Sequence, residues 1–313
     1  MKLKFSRAAG VLSILALASL FMIAWFRSEA HSNNIPGAPI YALDSDNTLY
    51  TLRGHNFDPI DRIVGFGNLT GIDVRPATGD LYAINDRSEV FKLTFNTLQP
   101  FFRNRRVSPI TVTKVADISP RFAAGYQSLM DFNPVVNALR LIGSNDQNFA
   151  LVNQGGDLNV TAVQTALAYA ATDVNAGVDP NIAAGAYTNN YRGAPLTLFY
   201  AIDYDLDNLV TILPTQLGGS SATGGGQLRT IGPVVDQRGN RVNFSPLADF
   251  DIFTSRTGQN TAVGISGRTL FTIDVEQVVY SLPFTSGQMI KATGFTLQNG
   301  ANFVDVAITP QQP

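Results

Sequence analysis

The 313-residue sequence contains no cysteine, and histidine, glutamate and tryptophan are rare. Without cysteine the chain has no disulfide framework, no lipid attached to cysteine and no thiolate chemistry. Two histidines, His31 and His55, are too few for a multi-histidine zinc site and disfavour a histidine-based catalytic triad. Three glutamates stand against 21 aspartates, and with 27 glycines this bias favours turns and strands over helices.

The amino terminus has the pattern of a targeting segment. Three basic residues precede an apolar or small-residue run over residues 8–26, and Ser28-Glu29-Ala30 has the small residues that a signal peptidase accepts. The run is also long enough to span a bilayer. Residues 1–30 are therefore predicted to be a signal peptide or an N-terminal membrane anchor. Either one predicts an exported protein that is periplasmic, extracellular or anchored to the outer face of the cytoplasmic membrane.

Net charge limits the class of partner. Residues 1–30 hold four of the 22 basic residues and one of the 24 acidic residues, so the remainder has 18 basic and 23 acidic side chains. This negative balance argues against nucleic acid as a partner. The membrane is expected as a partner only through an uncleaved N-terminal segment. An unknown protein, glycan or small molecule remains as the expected partner.

Five hairpin patterns of similar length follow one another along the chain. Each has a short apolar strand, a polar turn and a second apolar strand. The copies are Ile40 to Leu52, Leu81 to Leu93, Leu139 to Val152, Phe199 to Ile212 and Ala262 to Ile273. Repeats of about this period are typical of propellers and solenoids. Weaker patterns predict an outer strand after each hairpin, at Asp61 to Phe66, Val112 to Ile118, Val160 to Leu167, Leu228 to Val234 and Ala292 to Leu297.

A further apolar segment precedes each of the last four hairpins, and the first hairpin lacks one. A matching segment, Phe303 to Ile308, ends the chain with no hairpin after it. If it supplies the missing strand, the sheets form a closed ring. The prediction is an all-β, five-bladed β-propeller closed by the C-terminal strand, with a β-sandwich or another blade count as the alternative. Residues 31–38 are expected to be a linker, residues 39–309 one propeller domain and residues 310–313 a tail.

Three ordered motifs resemble the DUF4394 family, a group of exported bacterial proteins without an established activity. The motifs are Gly71 to Ile84, then Asp131 to Pro134 with Leu139, Arg140 and Asn148, then Ala166 to Asn189. The runs Leu198 to Asp203 and Leu270 to Asp274 complete a resemblance that covers Pro39 to Thr309. It implies a fold and a location and supplies no catalytic residue. The chain departs from the family at Asn137, where an acid is usual, and at Ala150, where a basic residue is usual.

Acidic residues recur at one position of the segments that precede the hairpins. We align Asp73, Asp131, Asp251 and Asp305, with Tyr187 at the fourth position. One hypothesis is a ring of carboxylates that holds a cation. The favoured hypothesis is structural: each carboxylate accepts a backbone N–H from a neighbouring strand, because a buried carboxylate requires a partner.

The polar segment Asp173 to Asn190, together with Asn133 and Arg140, is the predicted binding surface. Loops on a rigid scaffold often carry function, and this one matches the third family motif. Consecutive sheets are expected to bring five candidate binding residues to one rim: Asp173, Asn175, Asn189, Asn133 and Arg140. Alanine substitution there is expected to remove binding and leave melting nearly unchanged.

Two further kinds of site are weighed. Asp203, Asp205 and Asp207 place oxygens at alternate positions, as a calcium loop does, but the EF-hand glycine and closing glutamate are missing. No cofactor is predicted, and calcium is the alternative. No catalytic residue is assigned. An extracytoplasmic, glycosidase-like hydrolase that uses aspartates is the alternative to a non-catalytic binding or scaffold module, because two carboxylates are the minimum for that chemistry.

Overall fold

The computed structural model describes residues 37–54, 56–96, 109–124, 128–154, 157–212, 225–275, 289–297 and 301–311. Every regular element within these ranges is a β-strand, and they fall in the compact unit Ile35–Pro313. None of these ranges contains a helix of the length and apolar character that a membrane span requires. The expected N-terminal segment, residues 1–30, lies outside the described residues. The all-β class predicted from the sequence is confirmed.

The strands form five antiparallel groups of four. Group 1 contains β1 (Ile40–Asp44), β2 (Thr48–Arg53), β3 (Asn56–Arg62) and the C-terminal strand β21 (Phe303–Ile308). Group 2 contains β4 (Leu69–Val74), β5 (Leu81–Asn85), β6 (Glu89–Phe95) and β7 (Ile110–Asp117). Group 3 contains β8 (Ser128–Asn133), β9 (Ala138–Gly143), β10 (Asn148–Gln154) and β11 (Asp157–Val163).

Groups 4 and 5 belong to one nine-stranded sheet. Group 4 contains β13 (Ile182–Tyr187), β14 (Phe199–Asp203), β15 (Asn208–Ile212) and β16 (Gln227–Val235), and β12 (Ala168–Tyr169) pairs with β16. Group 5 contains β17 (Asp249–Thr254), β18 (Asn260–Ser266), β19 (Thr269–Asp274) and β20 (Ile290–Thr296). A short parallel pairing joins β16 to β20 through Val234↔Ile290 and Val235↔Lys291.

The C-terminal strand completes the first group. β21 pairs antiparallel with β1, with Ile40 opposite Ile308 and Ala42 opposite Val306. All six residues of β21 are buried. The predicted pairing between the two ends of the repeat region is confirmed, and β1 has a partner on both sides.

The first strands of the five groups contact one another in a closed series. The first strands of the groups are β21, β4, β8, β13 and β17, and each contacts the next, with β17 contacting β21 again. Each of the five hydrophobic clusters in the described residues contains side chains from two consecutive groups. The side chains between neighbouring groups therefore form the core, and both faces of β8, β13 and β21 are covered, because every residue of these three strands is buried.

Short polar turns fix the hairpins. Asn47, Asp146 and Asp207 lie in the turns of three of the recurring hairpins, with φ of 61°, 62° and 49°. Asn and Asp tolerate this left-handed conformation better than other residues that carry a Cβ. The last of the recurring hairpins, between β18 and β19, instead uses Gly267 with φ of 58°. The recurring hairpin of the sequence thus corresponds to recurring turn chemistry.

Candidate functional site

Three carboxylates from three different first strands meet in the protein interior. Asp73 lies on β4, Asp131 on β8 and Asp251 on β17, and one oxygen from each lies within 4.8 Å of the others. The three residues are only 2%, 4% and 2% exposed. We call this group the aspartate triad.

Each carboxylate of the triad accepts a backbone N–H from the next first strand. Phe132 N donates to Asp73 Oδ2 at 2.7 Å, and Tyr187 N donates to Asp131 Oδ1 at 3.0 Å. Ile308 N donates to Asp251 Oδ2 at 2.6 Å. These bonds are of the kind that the structural hypothesis expects. They tie neighbouring strand groups together across the interior.

The hydrogen bonds also correct the sequence alignment of the triad. Phe132, the backbone donor on β8, directly follows Asp131. On the strands that donate to the other two carboxylates, the position equivalent to Asp131 is therefore the residue just before the backbone donor. The donors Tyr187 and Ile308 then place Ala186 and Ala307 level with Asp131. The sequence pattern aligns Asp305 and Tyr187 with the triad because their flanking residues match. The register of the strands instead puts Ala307 and Ala186 at those positions.

Asp305 belongs to a second buried pair, with Asp249. Val306 N donates to Asp249 Oδ2 at 2.9 Å, and Ile72 N donates to the Asp305 carboxyl group. A hydrogen bond joins the two carboxyl groups, which requires a proton on one of them. Asp249 was not found from the sequence. Its signal is the alternation Asp249-Phe250-Asp251, which puts both acids on one face of β17.

Burial makes ionisation of these five acids costly. It is the largest cause that raises the pKa of Asp249 to about 7 and the pKa of Asp251 to about 8. Burial, followed by a neighbouring aspartate, raises the pKa of Asp73, Asp131 and Asp305 well above the usual range. We conclude that the five acids do not all carry a full negative charge at neutral pH unless a cation joins them.

Asn190 lies beside the triad. It is the last residue of the predicted binding segment Asp173 to Asn190, but it is not one of the five candidate binding residues, and its place beside the aspartates was not predicted. It follows β13, is 4% exposed, and its Nδ2 donates to Asp251 Oδ1 at 3.4 Å. Its Oδ1 is buried and has no hydrogen-bond partner among the described residues. Because Asn190 reaches β17 across sequence-distant strands, no local pattern predicts that place.

Two predicted binding residues are buried. Arg140 on β9 is 2% exposed, and its Nε donates to Tyr187 Oη and its Nη1 to Asn148 Oδ1, both at 2.5 Å. Its guanidinium also lies over the Tyr187 ring. Asn133 is 1% exposed and accepts from Val135 N through Oδ1. Both positions favour a structural role over direct contact with a ligand.

The other three predicted binding residues are held by two different contacts. Asp173 accepts hydrogen bonds from N and Oγ1 of Thr230 on β16, and Asn175 Nδ2 donates to the same Oγ1. Asn189 N donates to Asn260 Oδ1 at 2.7 Å. The loop over residues 171–179 is thus fixed to β16, and Asn189 to group 5. That Asp173, Asn175 and Asn189 bind a ligand stays a prediction.

The predicted calcium loop forms a hairpin turn in the structure. Asp203 is fully buried and accepts hydrogen bonds from Tyr169 Oη at 2.6 Å and from the backbone of Asp205 and Leu206. Asp207 accepts from Phe244 N. Asp203, Asp205 and Asp207 do not come together within metal-ligand distance, whereas the aspartate triad does.

The arrangement bears on the choice between binding and hydrolysis. Glycosidases separate two carboxyl groups by roughly 5 to 10 Å and admit a sugar between them. The triad oxygens lie within 4.8 Å and the residues are buried, so a sugar has no access between these carboxylates. Glu89, on β6, receives a hydrogen bond from Asn85 Nδ2 and an ion pair from Lys114, and Glu276 lies outside the described residues.

Comparisons with known proteins identify a family and no activity. Two solved structures share 12% identity with the chain. A symmetrical protein from a study of de novo evolutionary emergence matches with a TM-score of 0.42 over 88% of this chain and 100% of its own. A structural genomics protein of unknown function from Bacteroides thetaiotaomicron matches with a TM-score of 0.45 over 88% and 68%. No curated protein matches. The family described as "Domain of unknown function (DUF4394)" matches residues 55–307, and the chain therefore belongs to the DUF4394 family.

Proposed function

We propose that the protein is an exported, non-catalytic binding or scaffold module with the architecture of a five-bladed β-propeller. Each strand group corresponds to one blade, with the first strands innermost. The closed series of contacts among β21, β4, β8, β13 and β17 supports this arrangement. So do the five hydrophobic clusters, each of which is shared by two consecutive groups.

The buried aspartates carry the non-catalytic part of the proposal. Their oxygens accept backbone N–H groups from neighbouring strands and are closed to a substrate-sized molecule. A general acid or nucleophile must reach its substrate within hydrogen-bond distance. The central polar groups therefore stabilise the scaffold, and binding is left to exposed loops.

The loop over residues 171–179 is the candidate binding surface. Asp173 and Asn175 fix it to Thr230, and Val174 and Val178 are 66% and 44% exposed. A fixed loop that presents apolar side chains loses little conformational entropy on binding. We expect a protein, glycan or small molecule there, and no nucleic acid.

Export is proposed from the N-terminal sequence. A basic start, an apolar run and small residues before His31 are the features that support it. Cell fractionation and N-terminal sequencing of the mature protein test this part. A mature protein that retains Met1 and stays in the cytoplasm would contradict it.

A binding screen combined with an activity screen tests the module. The purified protein is screened against glycans, small molecules and extracytoplasmic proteins by thermal shift, and in parallel against chromogenic glycosides. We expect a binder whose effect is reduced by Val174→Ser together with Val178→Ser, with the melting temperature unchanged. Turnover of a glycoside that is lost in Asp73→Asn would instead establish the hydrolase alternative.

A further inference from the structure

We propose that the aspartate triad, together with the amide oxygen of Asn190, binds one hard divalent cation, with Ca²⁺ as the first candidate. The site differs from the loop Asp203 to Asp207 and from the exposed loop over residues 171–179. It joins group 2, group 3 and group 5 with the segment that follows β13. The cation would be structural, at the place where four strand groups meet.

The spacing of the triad oxygens fits calcium. Two ligands of one Ca²⁺ ion, at 2.3–2.6 Å each, lie no more than roughly 4.6 to 5.2 Å apart, whereas Mg²⁺ requires shorter bonds in near-ideal octahedral geometry and usually keeps several waters. The triad oxygens all lie within 4.8 Å of one another. The backbone hydrogen bonds do not exhaust the carboxylates, because each carboxylate oxygen has two acceptor positions.

Asn190 is the second and independent observation. Its side chain is buried against Asp251, and its Oδ1 has no hydrogen-bond partner among the described residues. A buried amide oxygen without a partner is unfavourable, and such groups indicate an ion or a water molecule. A half-turn of the amide exchanges its oxygen and nitrogen, which turns an oxygen of the kind that Ca²⁺ accepts toward Asp251.

Charge also favours a cation. Buried carboxylates are stable when they are paired or coordinate a metal. The neighbours of the triad include further acids, Asp249 and Asp305. A divalent cation would neutralise charge where like charges otherwise repel.

Calcium titration of the full-length protein tests the proposal. Metal content is measured by mass spectrometry in protein purified without chelator, and chelator-treated protein is then titrated with CaCl₂ and, separately, MgCl₂ by calorimetry. We expect about one calcium per chain, weaker binding of magnesium, and a melting temperature that rises by several degrees in excess calcium. Chelated protein that binds neither ion and melts at the same temperature in both salts overturns the proposal.

Three variants locate the cation. Asp131→Asn keeps an acceptor for Tyr187 N and removes one charge, so we expect at least about tenfold weaker calcium binding and no stabilisation by calcium. Asn190→Ala keeps all three carboxylates and should weaken binding about three- to tenfold. Asp203→Asn is the matched control, because it alters a buried aspartate outside the triad and should leave the calcium response intact.

Each outcome decides the proposal. If Asp131→Asn does not fold, Asn190→Ala carries the test alone. Calcium binding that is unchanged in both triad-region variants would place the ion elsewhere and overturn the site. An equal loss of response in Asp203→Asn would mean that calcium binds the loop Asp203 to Asp207 or reports only general stability, and would also overturn it. Glycoside turnover or loop binding can fail in the earlier screen without affecting this result.

Discussion

Asp73 on β4 accepts a hydrogen bond from the backbone N–H of Phe132 on β8 at 2.7 Å, although the two residues are 59 positions apart in sequence. The other oxygen of Asp73 accepts from Val74 N. One side chain therefore provides an acceptor both to its own strand and to the next strand group. The same relationship, from Asp131 to Tyr187 and from Asp251 to Ile308, makes the carboxylates connectors between groups.

We predict that Asp73→Ala lowers the free energy of unfolding by about 1 to 3 kcal/mol, because it leaves the buried N–H groups of Phe132 and Val74 without an acceptor. Asp73→Asn should cost less, since the amide oxygen can still accept while one negative charge is removed. Urea unfolding in the presence of a chelator measures both. Equal stability of the alanine variant and the parent would contradict the connector role.

We predict that deletion of residues 301–313 prevents cooperative folding. The deletion removes β21, whose residues Phe303, Val304, Val306 and Ile308 are at least nine-tenths buried. Burial of these side chains is worth about 6 to 12 kcal/mol together, which is comparable with the whole stability of a domain. It would also leave an edge of β1 unpaired and prone to aggregation.

The control for this deletion is removal of residues 311–313 alone, which leaves β21 intact. Solubility, circular dichroism and thermal melting compare the two truncations. A protein without residues 301–313 that melts at the parent temperature would refute the closure of the first strand group by β21.

We predict that Tyr187→Phe destabilises the protein by about 1 to 3 kcal/mol. The substitution removes the hydroxyl that accepts from Arg140 Nε, in a place where the guanidinium is buried, and hydrogen bonds to charged groups are the stronger ones. Arg140→Lys should also destabilise, because an ammonium cannot satisfy both Tyr187 and Asn148 with the geometry of the guanidinium fork.

An exposed arginine provides the comparison. Arg121→Ala removes a guanidinium that donates to the backbone oxygen of Asp86 at the surface, and we expect a change below about 0.5 kcal/mol. Chemical denaturation of the three variants tests the difference. If Arg140→Lys and Arg121→Ala change stability equally, Arg140 does not join groups 3 and 4.

Much of the strand order could be predicted from the sequence, because each hairpin repeats the same apolar pattern and β21 matches the segment that group 1 lacks. Two of the five predicted outer strands are displaced. β3 begins at Asn56, where Asp61 was predicted, because Gly54 at φ of 62° allows an abrupt turn and Pro59 on this edge strand resembled a loop residue. β11 spans Asp157–Val163, where the sequence predicted a strand from Val160 to Leu167.

The central site was only partly predictable. Recurrent acids at one strand position indicated Asp73, Asp131 and Asp251, since side chains at equivalent positions face the same way. Register between strands from different groups is set by packing and hydrogen bonds, which a single sequence does not display. That is why Asp305 was aligned with the triad and why the place of Asn190 beside the aspartates was not predicted.

We predict that ionisation of Asp146, near the acid Asp179, lowers the free energy of unfolding as pH rises from about 4 to 6. Partial burial, followed by repulsion from Asp179, raises the pKa of Asp146 to about 6. The folded protein therefore binds a proton more tightly than the unfolded chain, whose aspartates titrate near 3.9. The proton stabilises the fold below pH 4, and this stabilisation is lost as pH passes 6. Because Asp146 is partly exposed, the effect should be about 1 kcal/mol.

Asp146→Asn isolates this effect from that of the buried acids. Asparagine accepts the left-handed backbone at φ of 62° and has no charge to lose, so the variant should be more stable than the parent at pH 7 and equal to it at pH 4. Asp179→Asn should also be more stable than the parent at pH 7, but by less, because it removes the repulsion and leaves Asp146 ionisable. Urea unfolding at several pH values measures the difference, and a parent-minus-variant curve that is flat from pH 4 to 7 would exclude a repulsive pair.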